Sequence, residues 1–181
     1  MIRRIHLGLP FWGFDGWQGS VYTRDSRAAD FLRQYGRVFN AVEGNTTFYA
    51  EPSVATVARW HAESPPDFRF CFKLPRAITH DARLRDVRDA TRAFLDRIAP
   101  LADRMGPVMI QLPPDFGSSE LARLEGFLEE LPEGQCPTRI IVTSPGHYRA
   151  SFELPRRLDP SLRLEEAVLG VFGRPGILEL A

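Results

Sequence analysis

The chain has 181 residues, 44% of them hydrophobic and 25% charged, which is enough to bury one substantial core in a single domain. Its 23 lysines and arginines balance 23 aspartates and glutamates, which excludes an overall basic field that would recruit nucleic acid or an anionic membrane. Two cysteines are too few for a disulfide framework, no apolar run approaches the about 18 residues of a membrane span, and residues 1–4 lack the apolar core of a signal peptide. These features predict a soluble cytoplasmic protein without a membrane partner.

Four short apolar runs predict β-strands that each stop at polar or aromatic residues. They cover residues 5–9, 39–42, 68–72 and 108–110. The second run is followed by Glu43 and Asn45, the third by Lys73 and the fourth by Gln111. Because the carboxyl ends of parallel strands share one rim of a sheet, we expect these four side chains to meet at a common mouth.

The segments between these runs carry apolar residues at the three- and four-residue spacing of amphipathic helices. Ser26 is predicted to cap the first helix and Ser53 the second, a long third helix is predicted from Leu84 to Ala102, and a fourth after Ser118. Four alternations of strand and helix predict a parallel sheet covered by helices. The pattern leaves open whether that sheet is an open doubly wound one or a barrel.

The regular alternation ends at about residue 135. Residues 139–143 are predicted to form a fifth strand, residues 144–163 show no helical stripe, and residues 164–172 are predicted to form a short helix. A parallel array that stops there would leave an uncovered strand edge and exposed helix faces. We therefore expect part of the molecule to be missing or altered.

Lys73 is the single lysine among the 23 cationic residues of the chain; the other 22 are arginines. One interpretation is a base-composition bias that left one lysine by chance. The other is that arginine cannot replace this residue, because an ammonium is compact and can give up its proton in proton transfer or imine formation, whereas a guanidinium stays charged. The aromatic run that precedes Lys73 favours the second interpretation.

The candidate catalytic residues are Glu43, as a general base, Lys73, as an anion anchor or proton donor, and His80, as an acid or base near neutral pH. The alternatives are a carboxylate paired with an arginine for Glu43 and a capping or structural role for His80. An ion pair between Glu43 and Lys73 at the mouth would be compatible with both the catalytic and the alternative interpretations.

The candidate ligand-binding residues are of two kinds. Asn45, Thr47 and Gln111 offer neutral hydrogen bonds suited to sugars, bases or carbonyl groups, although each could instead hold loop backbone. Trp12 and Tyr49, together with Phe48, could form a stacking wall, and packing at the top of the fold is the alternative. Histidine and cysteine spacings fit no metal site, and glycine-rich nucleotide fingerprints are missing, so we expect neither a metal nor a cofactor.

Long motifs in residues 1–134 resemble the YecE-like family, domain of unknown function 72. They are Gly8-Leu9-Pro10-Phe11-Trp12, Val42-Glu43-Gly44-Asn45-Thr46-Thr47-Phe48-Tyr49, Phe70-Cys71-Phe72-Lys73-Leu74-Pro75 with Ile78-Thr79-His80, and Gln111-Leu112-Pro113-Pro114-Asp115-Phe116-Gly117. The resemblance implies a TIM-like (β/α) barrel, here incomplete, with about four to five βα units. It implies no reaction, because the family has no established biochemical role.

Residues 135–181 depart from the family pattern and form a divergent tail. A fifth-strand motif Val-Glu-Val-Arg-His-Pro and a later motif ending in Asp-Ser-Arg are both absent. Read one nucleotide downstream, degenerate codons for Thr143-Ser144-Pro145 can spell Arg-His-Pro, and those for residues 172–175 can spell Leu-Asp-Ala-Arg. We therefore hypothesise a frameshift near residues 135–143; a natural short variant is the alternative, and resequencing the coding DNA decides between them.

Three functions remain open on this sequence. The first is a barrel enzyme, or former enzyme, that binds a small polar or phosphorylated molecule at the carboxyl ends of its strands. The second is a nucleic-acid-binding, endonuclease-like barrel in which Arg76, Arg83 and Arg85 contact phosphates. The third is a non-functional truncated fragment, which would expose strand edges and could associate with a second copy through them.

Overall fold

The computed structural model describes residues 5–131, apart from the side chain of Ser118, and the backbone of residues 138–144 and 148–153. Its strands are β1 (Gly8–Leu9), β2 (Ala41–Gly44), β3 (Arg69–Phe72), β4 (Val108–Ile110), β5 (Thr138–Ser144) and β6 (Tyr148–Glu153). Its helices are α1 (Phe31–Val38), α2 (Thr46–Tyr49), α3 (Val54–Glu63), α4 (Arg88–Ile98) and α5 (Leu121–Glu129). The α/β class with alternating strands and helices is thereby confirmed.

The first five strands run parallel to their sequence neighbours. β1 pairs with β2 and β2 with β3, with Glu43 opposite Cys71, and β4 pairs with β5. β3 and β4 are joined more loosely, by an isolated parallel bridge between Lys73 and Met109 and by a 2.9 Å hydrogen bond from the Leu74 N–H to the Met109 carbonyl. Strand order therefore follows chain order, as it does in a (β/α) barrel.

Among the residues that the structure describes, the strands do not close into a barrel. β1 pairs with β2 alone, and β5 ends the parallel array by pairing with β6, which runs antiparallel to it. The predicted fifth strand is confirmed as β5, whereas β6 was not foreseen. Tyr148, Ala150 and Phe152 alternate with polar residues there, which is the two-residue period of a strand. The predicted helix at residues 164–172 lies outside the described residues.

The predicted helix starts proved correct at one serine and wrong at another. The Ser53 hydroxyl accepts a 3.1 Å hydrogen bond from the Thr56 N–H and caps α3 as predicted. α1, however, begins at Phe31 after a 3₁₀ turn, and Ser26 is buried. The Ser26 hydroxyl accepts a 2.8 Å hydrogen bond from the side chain of Gln34, so tertiary contacts use the group that a cap would need.

The third helix is shorter than predicted. α4 begins at Arg88, because Arg83, Leu84 and Asp86 have φ angles of 51°, 63° and 52°, in the left-handed region that a right-handed helix cannot contain. Leu84 is nevertheless buried, as the apolar pattern indicated, but it reaches the core from a loop. Each such non-glycine residue costs about 1 kcal/mol or more, so contacts elsewhere must hold this loop.

The core lies against one face of β3 and leaves its other face for polar groups. Phe68, Phe70 and Phe72 are fully buried, and Trp60 of α3 stacks on Phe70 and Phe72 with ring centroids 6.1 and 5.5 Å away. Burial of each such ring contributes about 1.5–3 kcal/mol. The alternate residues of β3 are only partly buried, and Lys73, which follows the strand, continues that polar face. Within the described residues, no helix is long and apolar enough to cross a membrane.

Candidate functional site

Glu43 and Lys73 meet at the carboxyl ends of two neighbouring strands, as predicted, and form an ion pair there. The Lys73 Nζ lies 3.0 Å from Glu43 Oε1, and 16% and 24% of the two side chains are exposed. Glu43 is the third residue of β2 and Lys73 follows β3 directly, so the parallel register brings the two side chains onto the same polar face. The pair is thus within reach of solvent but partly shielded from it, which strengthens its electrostatic interaction.

Gly44 allows β2 and β3 to lie this close. A Cβ at this position would lie 2.5 Å from the Phe72 ring, which is fully buried and directly opposite Gly44 in the sheet. Any larger residue would push the ring away and shift β3. The glycine in the Glu43-Gly44-Asn45 sequence is therefore required by the packing beneath the ion pair.

Thr47 links the backbone of the two strand ends that carry the ion pair. Its side chain is fully buried, and its hydroxyl lies 2.8 Å from the Lys73 carbonyl and 3.0 Å from the Gly44 carbonyl. The hydroxyl has one proton and donates it to these carbonyls, linking the ends of β2 and β3. Of the two roles predicted for Thr47, ligand binding and holding loop backbone, the second accounts for these contacts.

His80 follows β3, and its ring contacts Phe48, the chain neighbour of Thr47. It lies in a π-helical turn, Ala77–Asp81, that follows β3, and its ring meets the Phe48 ring edge-on with 5.0 Å between centroids. Its Nδ1 is 2.9 Å from the Thr79 hydroxyl. Nε2 is then the ring nitrogen that can gain or lose a proton. Burial, and secondly the Arg76 guanidinium, hold the pKa of His80 below its ordinary value of 6.5. His80 is therefore mainly neutral at pH 7.

The remaining polar candidates follow β2, lie on α2 or follow β4. The Asn45 amide donates a 3.0 Å hydrogen bond to the Pro10 carbonyl, so it ties the loop after β1 to the end of β2. Tyr49 is 80% exposed, and its ring meets that of Phe48 at 5.1 Å. Gln111 is half-buried just after β4, beside the bridge that joins this strand to Lys73.

Trp12 does not lie beside Tyr49 and Phe48 in a single stacking wall. Its ring meets Trp60 edge-on at 5.5 Å and Phe70 at 6.2 Å, so it packs on the aromatic face of β3, opposite to Lys73. Its carbonyl also accepts a hydrogen bond from the Tyr22 hydroxyl. The packing interpretation of Trp12 therefore accounts for its contacts.

A second charged cluster, which the sequence did not reveal, joins the loops after β3 and β4. The Arg83 Nη1 lies 3.0 Å from both carboxylate oxygens of Asp115, and its Nε lies 3.0 Å from Glu120 Oε1. Arg123 donates a 2.6 Å hydrogen bond to the same Glu120 oxygen, and the Arg83 guanidinium lies 5.7 Å from the centre of the Phe116 ring. We call these residues the rim clasp. With 22 arginines in the chain, no sequence signal pairs this one with Asp115 and Glu120.

The arginines suggested for nucleic-acid binding are mostly engaged by carboxylates. Arg83 is held in the rim clasp, and Arg76 lies 3.2 Å from Asp81. Such pairing cancels much of the positive field that phosphates would meet, and the structure gives no support to the nucleic-acid alternative. Among the described residues, no three histidine, cysteine or acidic side chains are grouped closely enough to hold a metal ion.

Comparisons with known proteins identify similar sequences and structures. The family model described as protein of unknown function DUF72 matches residues 6–156, which extends past residue 134 through β5 and β6. The UPF0759 protein YecE of Escherichia coli K12 is 45% identical over 128 residues, which cover 71% of this chain and 44% of that protein. The chain therefore spans less than half the length of this relative.

Solved structures show the same fold relationship. A DUF72 family protein from Thermotoga maritima is 28% identical with a TM-score of 0.62, over 75% of this chain and 55% of that one. A DUF72 family protein from Enterococcus faecalis is 23% identical with a TM-score of 0.59, over 75% and 50%. The latter similarity concerns the fold alone.

Proposed function

Since the chain belongs to the DUF72 family of proteins of unknown function, we propose that its Glu43–Lys73 group binds a small polar or phosphorylated molecule at the carboxyl ends of the strands. The observation that carries this proposal is the 3.0 Å ion pair between largely shielded side chains at the ends of neighbouring parallel strands. In parallel α/β proteins, ligands bind at this end of the sheet.

Lys73, Glu43 and His80 offer a ligand three different chemical groups. The Lys73 ammonium donates to an acceptor oxygen of the ligand, such as a phosphate or carbonyl oxygen, and Glu43 accepts from a ligand hydroxyl. His80 is mainly neutral at pH 7, so it can take up a proton during a reaction. A molecule with a hydroxyl next to an anionic or carbonyl oxygen, such as a sugar phosphate, matches this set.

The sequential, parallel order of β1 to β5 supports a (β/α) barrel as the fold of the whole family member, with the proposed site inside its mouth. In that arrangement Glu43 and Lys73 would face the interior. Further strands would then shield the ion pair, and the aromatic face of β3 would stay covered by helices. Binding would accordingly be stronger in a closed barrel.

The test is an isothermal calorimetric titration of the purified chain with ribose 5-phosphate. Ribose and inorganic phosphate are titrated separately, because they report which end of the molecule is recognised. We expect saturable binding, and we expect Lys73→Met to weaken it at least 10-fold. The anionic oxygen of the ligand would lose the ammonium group that pairs with it.

The matched control is Arg97→Met, which removes a partly exposed cation of a different ion pair, 3.4 Å from Glu51. It should leave the affinity unchanged. Equal loss of binding in both variants would show that general charge, and not the Glu43–Lys73 group, attracts the ligand. No binding of any of the three probes would contradict the proposed ligand class.

A further inference from the structure

The loop between β3 and α4 is held in a conformation that its own sequence does not favour. Arg83, Leu84 and Asp86 all have positive φ, and none of them is a glycine. The loop is nevertheless compact: the Leu84 N–H donates to the Ile78 carbonyl at 3.0 Å, and the Ala82 N–H donates to the Ala77 carbonyl at 3.0 Å. Something outside the loop must keep these residues where they are.

The rim clasp supplies that restraint. Arg83 donates to Glu120 through Nε and Nη2 and to Asp115 through Nη1, so its planar fork is fixed by two carboxylates from the loop after β4. The Arg83 and Arg123 hydrogen bonds hold the pKa of Glu120 down at about 2, so this carboxylate is charged at neutral pH. The Glu120 side chain is also mostly covered, with 13% exposed.

His80 lies in the turn that the clasped loop continues. Ile78 and Ala77, whose carbonyls accept the loop's hydrogen bonds, belong to the same π-helical turn as His80. The charged groups that act on His80 are Arg76 and Asp81 on its own turn, Arg83 on the loop, and Asp115 on the loop after β4. Glu120 is not among them, although it holds Arg83.

We infer that Arg83 and Glu120 are positioning residues, which keep the His80 imidazole partly shielded beside Phe48 at the rim of the ligand site. This inference rests on the proposed function for its purpose, since His80 is there the proton-accepting group. The clasp sets where His80 lies and how much water reaches it, without contacting the ligand.

The inference is tested with Glu120→Gln by following the ¹³C-detected imidazole signals of the full chain against pH, with His80→Gln to assign the His80 signal. Release of the clasp hydrates His80 and shifts its titration midpoint upward toward 6.5, because burial is the largest cause of its lowered value. Electrostatics alone predicts a lower midpoint for His80. The substitution removes a carboxylate and so leaves more of the positive charge of Arg83 acting on the imidazole. A midpoint that is unchanged or moves downward overturns the inference.

Two further variants make the result independent of general damage. Arg83→Lys keeps the formal charge but loses the fork, and it should raise the His80 midpoint in the same direction. Arg83→Lys therefore tests the same shift of the His80 midpoint if Glu120→Gln does not fold. Glu51→Gln, which breaks an ion pair on α4, should leave the midpoint in place. Because the readout needs no ligand, a failure of the calorimetric titration would not affect it.

Discussion

Replacement of Thr47 by valine tests whether the Thr47 hydroxyl holds the two strand ends that carry the ion pair. The change keeps the volume of a fully buried side chain and removes one donor, which leaves the Lys73 carbonyl at 2.8 Å and the Gly44 carbonyl at 3.0 Å without it. A buried acceptor left unpaired costs about 1–3 kcal/mol. We therefore expect the free energy of unfolding to fall by about 1–3 kcal/mol in urea titrations followed by circular dichroism.

Thr91→Val is the matched control for this prediction. The Thr91 hydroxyl is also buried, but it has no hydrogen-bond partner within the described part of the chain. Its loss should be neutral or stabilising, since an unpaired buried hydroxyl is itself costly. Equal destabilisation by Thr47→Val and Thr91→Val would refute the reasoning, because the hydrogen bonds of Thr47 would then contribute nothing specific.

Three further predictions concern packing, capping and ionisation. Gly44→Ala should lower the free energy of unfolding by about 1–3 kcal/mol, because its Cβ would lie 2.5 Å from a buried ring. Gly126 of α5 has open space around it, so Gly126→Ala should instead stabilise the helix by about 0.5–1 kcal/mol. Ser53→Ala should cost about 1 kcal/mol in the same urea assay through loss of the α3 cap, and no change would contradict that role. Burial, and secondly Tyr35, raises the pKa of Tyr22 to about 12, so its stabilising contribution is complete below pH 10 and is lost as the pH rises toward 12. Ultraviolet absorbance should show this late ionisation in the folded chain, and ionisation near pH 10 would contradict it.

The strands and the meeting of Glu43 with Lys73 could be predicted from the sequence because they follow from local patterns. Each apolar run ends abruptly at a polar residue, and parallel pairing then determines which ends lie together. Glu43 and Lys73 therefore meet in the structure as expected. The cap at Ser53 was equally predictable, because a side-chain hydroxyl and the third N–H of a helix are close neighbours in the chain.

The features that sequence reasoning missed depend on contacts between distant segments. Ser26 bonds to Gln34, Trp12 packs against Trp60, and Arg83 pairs with Asp115 across the gap between two loops. Arg83 is also one of the residues with positive φ that delay the start of α4 to Arg88. Apolar spacing correctly indicated burial there, but it could not separate a buried loop from a helix.

The central claim is that Lys73 anchors a polar ligand beside Glu43, and a single measurement tests it most directly. Reductive methylation with ¹³C-formaldehyde labels Lys73 and the terminal amine alone, because the chain has one lysine. We predict one lysine signal, which moves in a saturable way on addition of ribose 5-phosphate. In the Glu43→Gln variant, this signal should be displaced before any ligand is added. A lysine signal that matches free dimethyl-lysine and ignores both the ligand and the Glu43 substitution would contradict the account.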